Sequence, residues 1–130
     1  MEELFERTKN RFKRHQPTIC VDMDGVIASR DNLNRTKIGE PLEGSDVFLE
    51  ELHNLGWKII IFSCRPKKML EGYLAKYDLY YDEINENSSL EYRSPKPVAD
   101  VYLDDRGITF EGDYEETLKR IIDFTPWWED

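Results

Sequence analysis

The sequence has no apolar run long enough to cross a membrane as a helix. Its first residues, MEELFERTKNRFKRH, lack the apolar centre and small-residue cleavage site of a secretory signal. The cytoplasm is therefore the expected compartment. Cysteine is scarce, with only Cys20 and Cys64, each in or just after an apolar run. Two reduced thiols are expected, rather than a disulfide or a metal site. His15 and His53 stand alone on stretches read as exposed helix, and no Cys/His group has zinc-like spacing. Positive charge is in deficit, since 18 lysines and arginines against 27 acids leave a net charge of −9. An acidic surface repels a phosphodiester backbone, so a broad nucleic-acid-binding surface is not expected. A local cationic pocket, or carboxylates clustered around a divalent cation, stays open. Repeats, low-complexity tracts and linkers are also missing.

What is present is a chain of 130 residues, 39% hydrophobic, which fits one domain spanning 1–130 with one sizeable core. Residues 2–14 read as a charged helix with Leu4, Phe5 and Phe12 as its apolar contacts. Thr18–Asp22 is a nearly continuous apolar run rich in β-branched residues, expected as a buried strand. Residues 25–43, with Gly25, Gly39 and Pro41 among polar residues, read as a long loop or flap. Ser45 is placed to cap a helix running to Leu55, with Phe48, Leu49, Leu52 and Leu55 on one face and Gly56 as its stop.

The run at Lys58–Ser63 is the clearest strand. A helix over 67–77 carries Leu70, Tyr73, Leu74 and Tyr77 on one stripe. A weak strand is expected at Tyr81–Ile84, followed by a polar irregular stretch over 85–97. Another strand is expected at Ala99–Asp104, and a fifth at Ile108–Phe110. Asp113 and Glu116 resemble a capping box opening a last helix, with Leu118, Ile121 and Ile122 facing inward. This alternation argues for an α/β fold with a parallel sheet covered on both faces and right-handed crossovers. Ligands then sit beyond the carboxyl ends of the strands.

The polar residues fall at those ends. Asp22 and Asp24 close the first strand, Ser63 and Arg65 the second, Asp104 and Asp105 the fourth. A carboxylate nucleophile and a phosphoryl group repel each other, and a hard cation held by oxygens removes that repulsion. Asp22 could then attack phosphorus. Asp24, two residues on, could protonate the leaving oxygen and later activate water. Ser63 offers a hydroxyl to a phosphoryl oxygen, Lys96 a positive charge, and Asp104 and Asp105 carboxylates for the cation or its waters.

These segments, Val21-Asp22-Met23-Asp24-Gly25-Val26, Ile61-Phe62-Ser63, Lys96 and Leu103-Asp104-Asp105, resemble in kind and order the phosphatase branch of the haloacid dehalogenase-like superfamily. The resemblance runs from about Thr18 to Phe110. It implies a Rossmann-like three-layer sandwich with a five-stranded parallel sheet of order 3-2-1-4-5. It implies magnesium held by Asp22, the Asp24 carbonyl and Asp105, with Asp104 behind them. It also implies Asp22 as nucleophile, Asp24 as general acid/base, and Ser63 and Lys96 on the phosphoryl group. An aspartate at position 24 favours phosphatases over the dehalogenase and ion-pumping branches.

Neither the stretch from Gly25 to Ile59 nor that from Ser63 to Lys96 has room for a full cap domain, so a capless member is expected. An open site could take a large phosphorylated substrate, or a second subunit of a homo-oligomer could close over it. The leading expectation is hydrolysis of a phosphomonoester, a nucleotide or sugar phosphate, through an aspartyl-phosphate. A phosphatase of nucleic-acid ends and a non-catalytic phosphate-binding or assembly module are the alternatives. Arg65 is open between substrate contact and a carboxylate partner, and Arg106 is read as neutralising the aspartates beside it. Arg30, Arg35 and Lys37 form a basic patch in the flap, open between solvation and substrate contact. Trp127 and Trp128 are expected to pin the tail to the body, with an oligomer contact as the lesser option.

Overall fold

The computed structural model describes residues 2–30, 36–90 and 94–129. Four strands, β1 (Thr18–Asp22), β2 (Lys58–Phe62), β3 (Glu83–Ile84) and β4 (Val101–Leu103), form one parallel sheet in the order β3-β2-β1-β4. Four helices accompany them: α1 (Glu2–Arg11), α2 (Ser45–Asn54), α3 (Lys67–Lys76) and α4 (Tyr114–Asp123). The α/β class and the parallel sheet match expectation. The fifth strand does not form, because Ile108–Phe110 pairs with nothing in the sheet and Phe110 is half exposed.

The sheet is buried because its central strands are apolar on both sides. Ile19, Val21, Ile59 and Ile61 point to one face. There they join Leu49 of α2 and Leu70 and Leu74 of α3 in the main core. The alternate residues, Cys20 and Ile60, are equally buried but lie outside that cluster. Their face is covered by the polar segment leading into β4, where the Pro97 carbonyl meets Cys20 Sγ at 3.9 Å. Burial pushes the Cys20 thiol up to about 11, so it stays protonated and inert. Cys64 is exposed, and both cysteines are free.

Several element ends differ from expectation. α1 stops at Arg11, and His15 lies beyond it with Nε2 3.1 Å from an Asp100 carboxylate oxygen, so it is neither helical nor alone. His53 stacks on Tyr80 with centroids 3.9 Å apart. Ser45 is the first residue of α2 and not its cap. Gly44 takes that place with a left-handed backbone and no side-chain bond. Asp113 does cap α4, accepting from the Glu116 N–H at 3.1 Å.

The inward face expected for α4 is absent. None of its residues is buried, and Leu118, Ile121 and Ile122 are 58%, 57% and 73% exposed. The reason is a missing floor. β4 is three residues long and, among the described residues, no strand follows it at the edge, so the helix has no sheet beneath it; the Phe110 ring meets Tyr114 at 4.9 Å. The three-layer sandwich is thus complete only on the side of α2 and α3.

The flap of residues 25–43 begins as a tight turn in which Ile27 and Ala28 donate to the Met23 carbonyl at 3.0 and 2.9 Å. Met23, Ile27, Ala28 and Ile38 are buried in the main core. No helix among the described residues is long and apolar enough to cross a membrane.

This asymmetry sets the energetics. Leu49→Ala is expected to lose about 3 kcal/mol, the transfer term plus a cavity. Leu118→Ala is expected to change stability by no more than about 0.5 kcal/mol. Urea unfolding of both variants checks the pair, and equal losses would contradict the exposed position of α4.

Candidate active site

Parallel register gathers the polar residues. Asp22 pairs in register with Phe62, and Val21 with Leu103. Ser63 therefore begins the loop just past Asp22 on one side, and Asp104 and Asp105 do the same on the other. The peptide after each strand is free of the ladder, so side chains there turn over the sheet edge.

Asp105 is the most enclosed of these groups, its side chain only 1% exposed. Its Oδ2 accepts from Arg30 Nε at 2.9 Å and from the Trp128 indole N–H at 2.6 Å. Its Oδ1 is buried and receives no N–H donor among the described residues. Asp22 lies beside it, accepting from the Met23 N–H at 2.8 Å. Burial first, then hydrogen bonding and repulsion from Asp105, raise the Asp22 carboxyl to about 7. Burial alone would raise Asp105 as well. The bonds from Trp128 and Asp22, with the charge of Arg30, outweigh it and hold Asp105 below the ordinary carboxylate range.

Gly25 makes this approach feasible. Its φ is +87°, and a Cβ there would stand 2.2 Å from Asp105 Oδ2. Any side chain at position 25 would be strained and would push Asp105 away.

Asp24 turns elsewhere. Its carboxylate is gripped by Arg65, with Nε and Nη2 each donating at 2.8 Å. The pairing raises the Arg65 pKa further. Arg65, open between two readings in the sequence, is thus a carboxylate partner, though of a candidate catalytic acid and not of a surface residue. The Asp24 carbonyl accepts from Arg30 Nε at 3.3 Å. Arg30 therefore belongs to the site and not to a solvated patch. Lys37 is exposed, and Arg35 lies outside the described residues.

Ser63 sits where the sequence placed it. Its Oγ accepts from the Arg65 N–H at 3.1 Å, and its backbone is clamped by Asn85, which accepts from Ser63 N and donates to Ser63 O, both at 2.9 Å. Asn85 has a φ of +56°, a conformation asparagine tolerates better than most residues. Its role carried no signal in the sequence beyond the end of a weak strand.

Two expected site residues are not brought in. Lys96 Nζ lies over the Tyr102 ring at 4.3 Å. Tyr102 pairs in register with Cys20, two residues before Asp22. The cation–π contact, with Tyr102 Oη donating to the Pro97 carbonyl at 2.6 Å, fixes that placement. Asp104 faces its own turn, where Oδ1 accepts from the backbone N–H groups of Arg106 and Gly107. Asp104 is a turn cap here, and Asp105 alone of the pair reaches Asp22.

The tail is more than an anchor. Trp127 donates to the Gly25 carbonyl at 2.7 Å. The Arg30 and Arg106 guanidiniums lie over the Trp128 ring, 5.3 and 5.4 Å from its centroid. Arg106 thus serves the tryptophan and not the aspartates.

Among the described residues, no three His, Cys, Asp or Glu side chains converge as a metal-binding group. The site offers two carboxylates, one with a bare buried oxygen, and the Asp24 carbonyl. That set fits magnesium, which takes one or two carboxylates and keeps several waters. A separate cavity of about 450 Å³ at the amino ends of the strands is lined partly by His15, Lys58 and Asp100. Its charges are paired internally, Lys58 with Glu83 at 2.6 Å and His15 with Asp100.

In solved structures the chain is similar to a conserved protein from Bacteroides thetaiotaomicron, at 23% identity over 84% of this chain and 92% of that one, with a TM-score of 0.60. It also matches a Vibrio cholerae protein at 20% identity over 82% of this chain and 97% of that one, with a TM-score of 0.48. A chain of the Pnkp1/Rnl/Hen1 RNA repair complex matches at 23% identity over 70% of this chain and 37% of that one, also at 0.48. No family model and no curated protein matches. The first likeness shows a shared fold.

The Asp22–Asp105 contact has a pH signature. A carboxyl raised to about 7 binds its proton more tightly folded than unfolded. Stability therefore falls as pH rises from about 4 to about 7, and the full cost applies above that. Asp22→Asn is expected to stabilise the cation-free protein by roughly 2 kcal/mol at pH 8, after discounting for partial exposure, and to have little effect at pH 4. Thermal melts of both proteins at the two pH values measure the difference, and a pH-independent gap would contradict the contact.

Proposed function

We propose that this protein is a magnesium-dependent phosphohydrolase of the haloacid dehalogenase-like type, acting on a phosphomonoester through a phosphoryl group carried on Asp22. The carrying observation is the pair of carboxylates, Asp22 and buried Asp105, at the carboxyl ends of adjacent parallel strands, with one oxygen of Asp105 receiving no N–H donor among the described residues.

Asp22, Asp105 and the Asp24 carbonyl would hold the magnesium. When bound, it supplies positive charge that keeps both carboxylates ionised and offsets their repulsion of a phosphate. The Asp22 carboxylate attacks phosphorus as the ester P–O bond breaks, and the leaving oxygen takes a proton. Asp24 can give that proton only once Arg65 lets go of it and its carboxylate has taken a proton from solvent or from a phosphate monoanion. An arriving phosphate provides the exchange, because a guanidinium forks onto phosphate oxygens as readily as onto a carboxylate. Arg65 would then hold the substrate, Ser63 would donate to a phosphoryl oxygen, and Asp24 would be free to move a proton. Water, deprotonated by Asp24, attacks phosphorus and restores Asp22.

Lys96 favours a second reading. With its ammonium on Tyr102 and Asp24 bound to Arg65, the site also suits a module that binds phosphate without turnover. The two stretches between the strands leave no room for a full cap domain, which fits a nucleotide, a sugar phosphate or a nucleic-acid end as substrate. The net charge of −9 disfavours the last.

Hydrolysis of an aryl phosphate is the test. Turnover is expected with magnesium, to be lost on chelation, and to drop at least about a thousandfold in Asp22→Asn. Wild-type protein that binds phosphate but never releases it from an ester would establish the binding module instead.

A further inference from the structure

We infer that Trp128, together with Arg30, is a positioning residue of the metal site, holding one oxygen of Asp105 so that the other is left for the cation. The inference rests on the magnesium reading above and assigns a part in it to the tail.

The two oxygens of Asp105 are unlike. Oδ2 accepts two strong donors, the Trp128 indole N–H at 2.6 Å and Arg30 Nε at 2.9 Å. Oδ1 is buried and receives no N–H donor among the described residues. A carboxylate with one oxygen fixed by protein donors has a fixed plane, and its remaining lone pairs keep a fixed direction. Donors of this kind behind a metal ligand orient it and tune its basicity, and their loss commonly weakens metal binding ten- to a hundredfold.

The tail is built to deliver the donor. Pro126 is buried, and the Glu129 N–H closes a turn on the Pro126 carbonyl at 3.1 Å. Trp127 bonds the Gly25 carbonyl at 2.7 Å, tying the tail to the turn that admits Asp105. The Trp128 ring then lies beneath the guanidiniums of Arg30 and Arg106. Arg30 is thereby held on both the ring and Asp105. An indole suits the task because it donates one hydrogen bond, cannot accept one, and carries no charge that would compete with a cation. Packing alone would need the ring but not an N–H aimed at a buried acid.

The test is calorimetric titration of magnesium into the full chain, comparing wild type, Trp128→Phe and Trp57→Phe. Phenylalanine keeps a ring beneath the two guanidiniums and removes only the donor. Trp57 packs against Phe12, away from the site, and serves as control. Trp128→Phe is expected to bind magnesium ten- to a hundredfold more weakly than wild type, with Trp57→Phe unchanged. A second readout needs no altered Trp128. In wild-type protein the Trp128 indole N–H resonance, assigned by elimination with Trp57→Phe and Trp127→Phe, is expected to shift on adding magnesium while that of Trp57 stays.

Equal affinity in Trp128→Phe, or an indole resonance indifferent to magnesium, overturns the inference and leaves the magnesium reading standing. Tighter binding in Trp128→Phe also overturns it, because the tail would then compete with the cation. Failure of the wild type to bind magnesium defeats the reading on which the inference rests.

Discussion

Two carboxylates sit side by side at the ends of neighbouring strands, and the local structure is arranged around tolerating them. Parallel pairing brings Asp22, which ends β1, and Asp104 and Asp105, which follow β4, to one edge, and the turn there caps itself with Asp104 and leaves Asp105 to Asp22. Taking such groups out of water is expensive, and placing them together adds repulsion. The chain offsets this with donors from separate segments: the Met23 N–H on Asp22, and Arg30 and Trp128 on Asp105. Gly25 contributes by having no side chain, since the space a Cβ would take is filled by Asp105 Oδ2. The repulsion that remains shows in the Asp22 carboxyl, which burial and Asp105 raise to about 7.

The same edge explains the lopsided fold. The main core lies under α2 and α3, where Leu49, Leu70 and Leu74 meet the isoleucines of the sheet. On the other face a polar segment stands in for a helix. Asn87, buried there, donates to the Val98 carbonyl at 3.0 Å and accepts from Lys58 at 3.0 Å. Covering a sheet with loop requires such side-chain bonds, because loop backbone cannot satisfy itself. With β4 short and no strand beyond it among the described residues, α4 has an amphipathic sequence and no sheet edge to bury it.

The central strands and the two core helices were legible in the sequence because burial writes itself into hydrophobic period. Ile59, Ile60 and Ile61 in succession announce a strand buried on both faces, and Leu70 and Leu74 a helix packed on one. Asp22, Ser63 and Asp105 were legible for the same reason, since each follows a readable strand. α4 misled because period reports amphipathicity and not the presence of a partner. Lys96 misled because its position in the chain says nothing of the ring beside it. Arg30 was legible only as part of a basic patch open between solvation and substrate contact, and Asn85 and Trp128 not at all as site residues. Their partners lie 75, 22 and 23 residues away, joined by contacts that only the folded chain defines.

The cations near the site follow one rule, and it constrains how any phosphate could enter. Among the described residues, Arg65 is held by Asp24, Arg30 by Asp105, Arg106 by the Trp128 ring and Lys96 by Tyr102. None is a ready-made anion hole. An incoming phosphate must therefore exchange with a partner already present. The pairs differ in what exchange would do. Taking Arg30 would strip a donor from the most buried acid, and an uncompensated buried charge is strongly destabilising. Taking Arg65 would release Asp24, whose side chain is 17% exposed and can be hydrated at once. Lys96 would give up only a cation–π contact, worth about 1 kcal/mol at an exposed site. Exchange at Arg65 is thus cheap and exchange at Arg30 is not, so of the two arginines bonded to an aspartate one could greet a phosphate and the other keeps the acid pair in place.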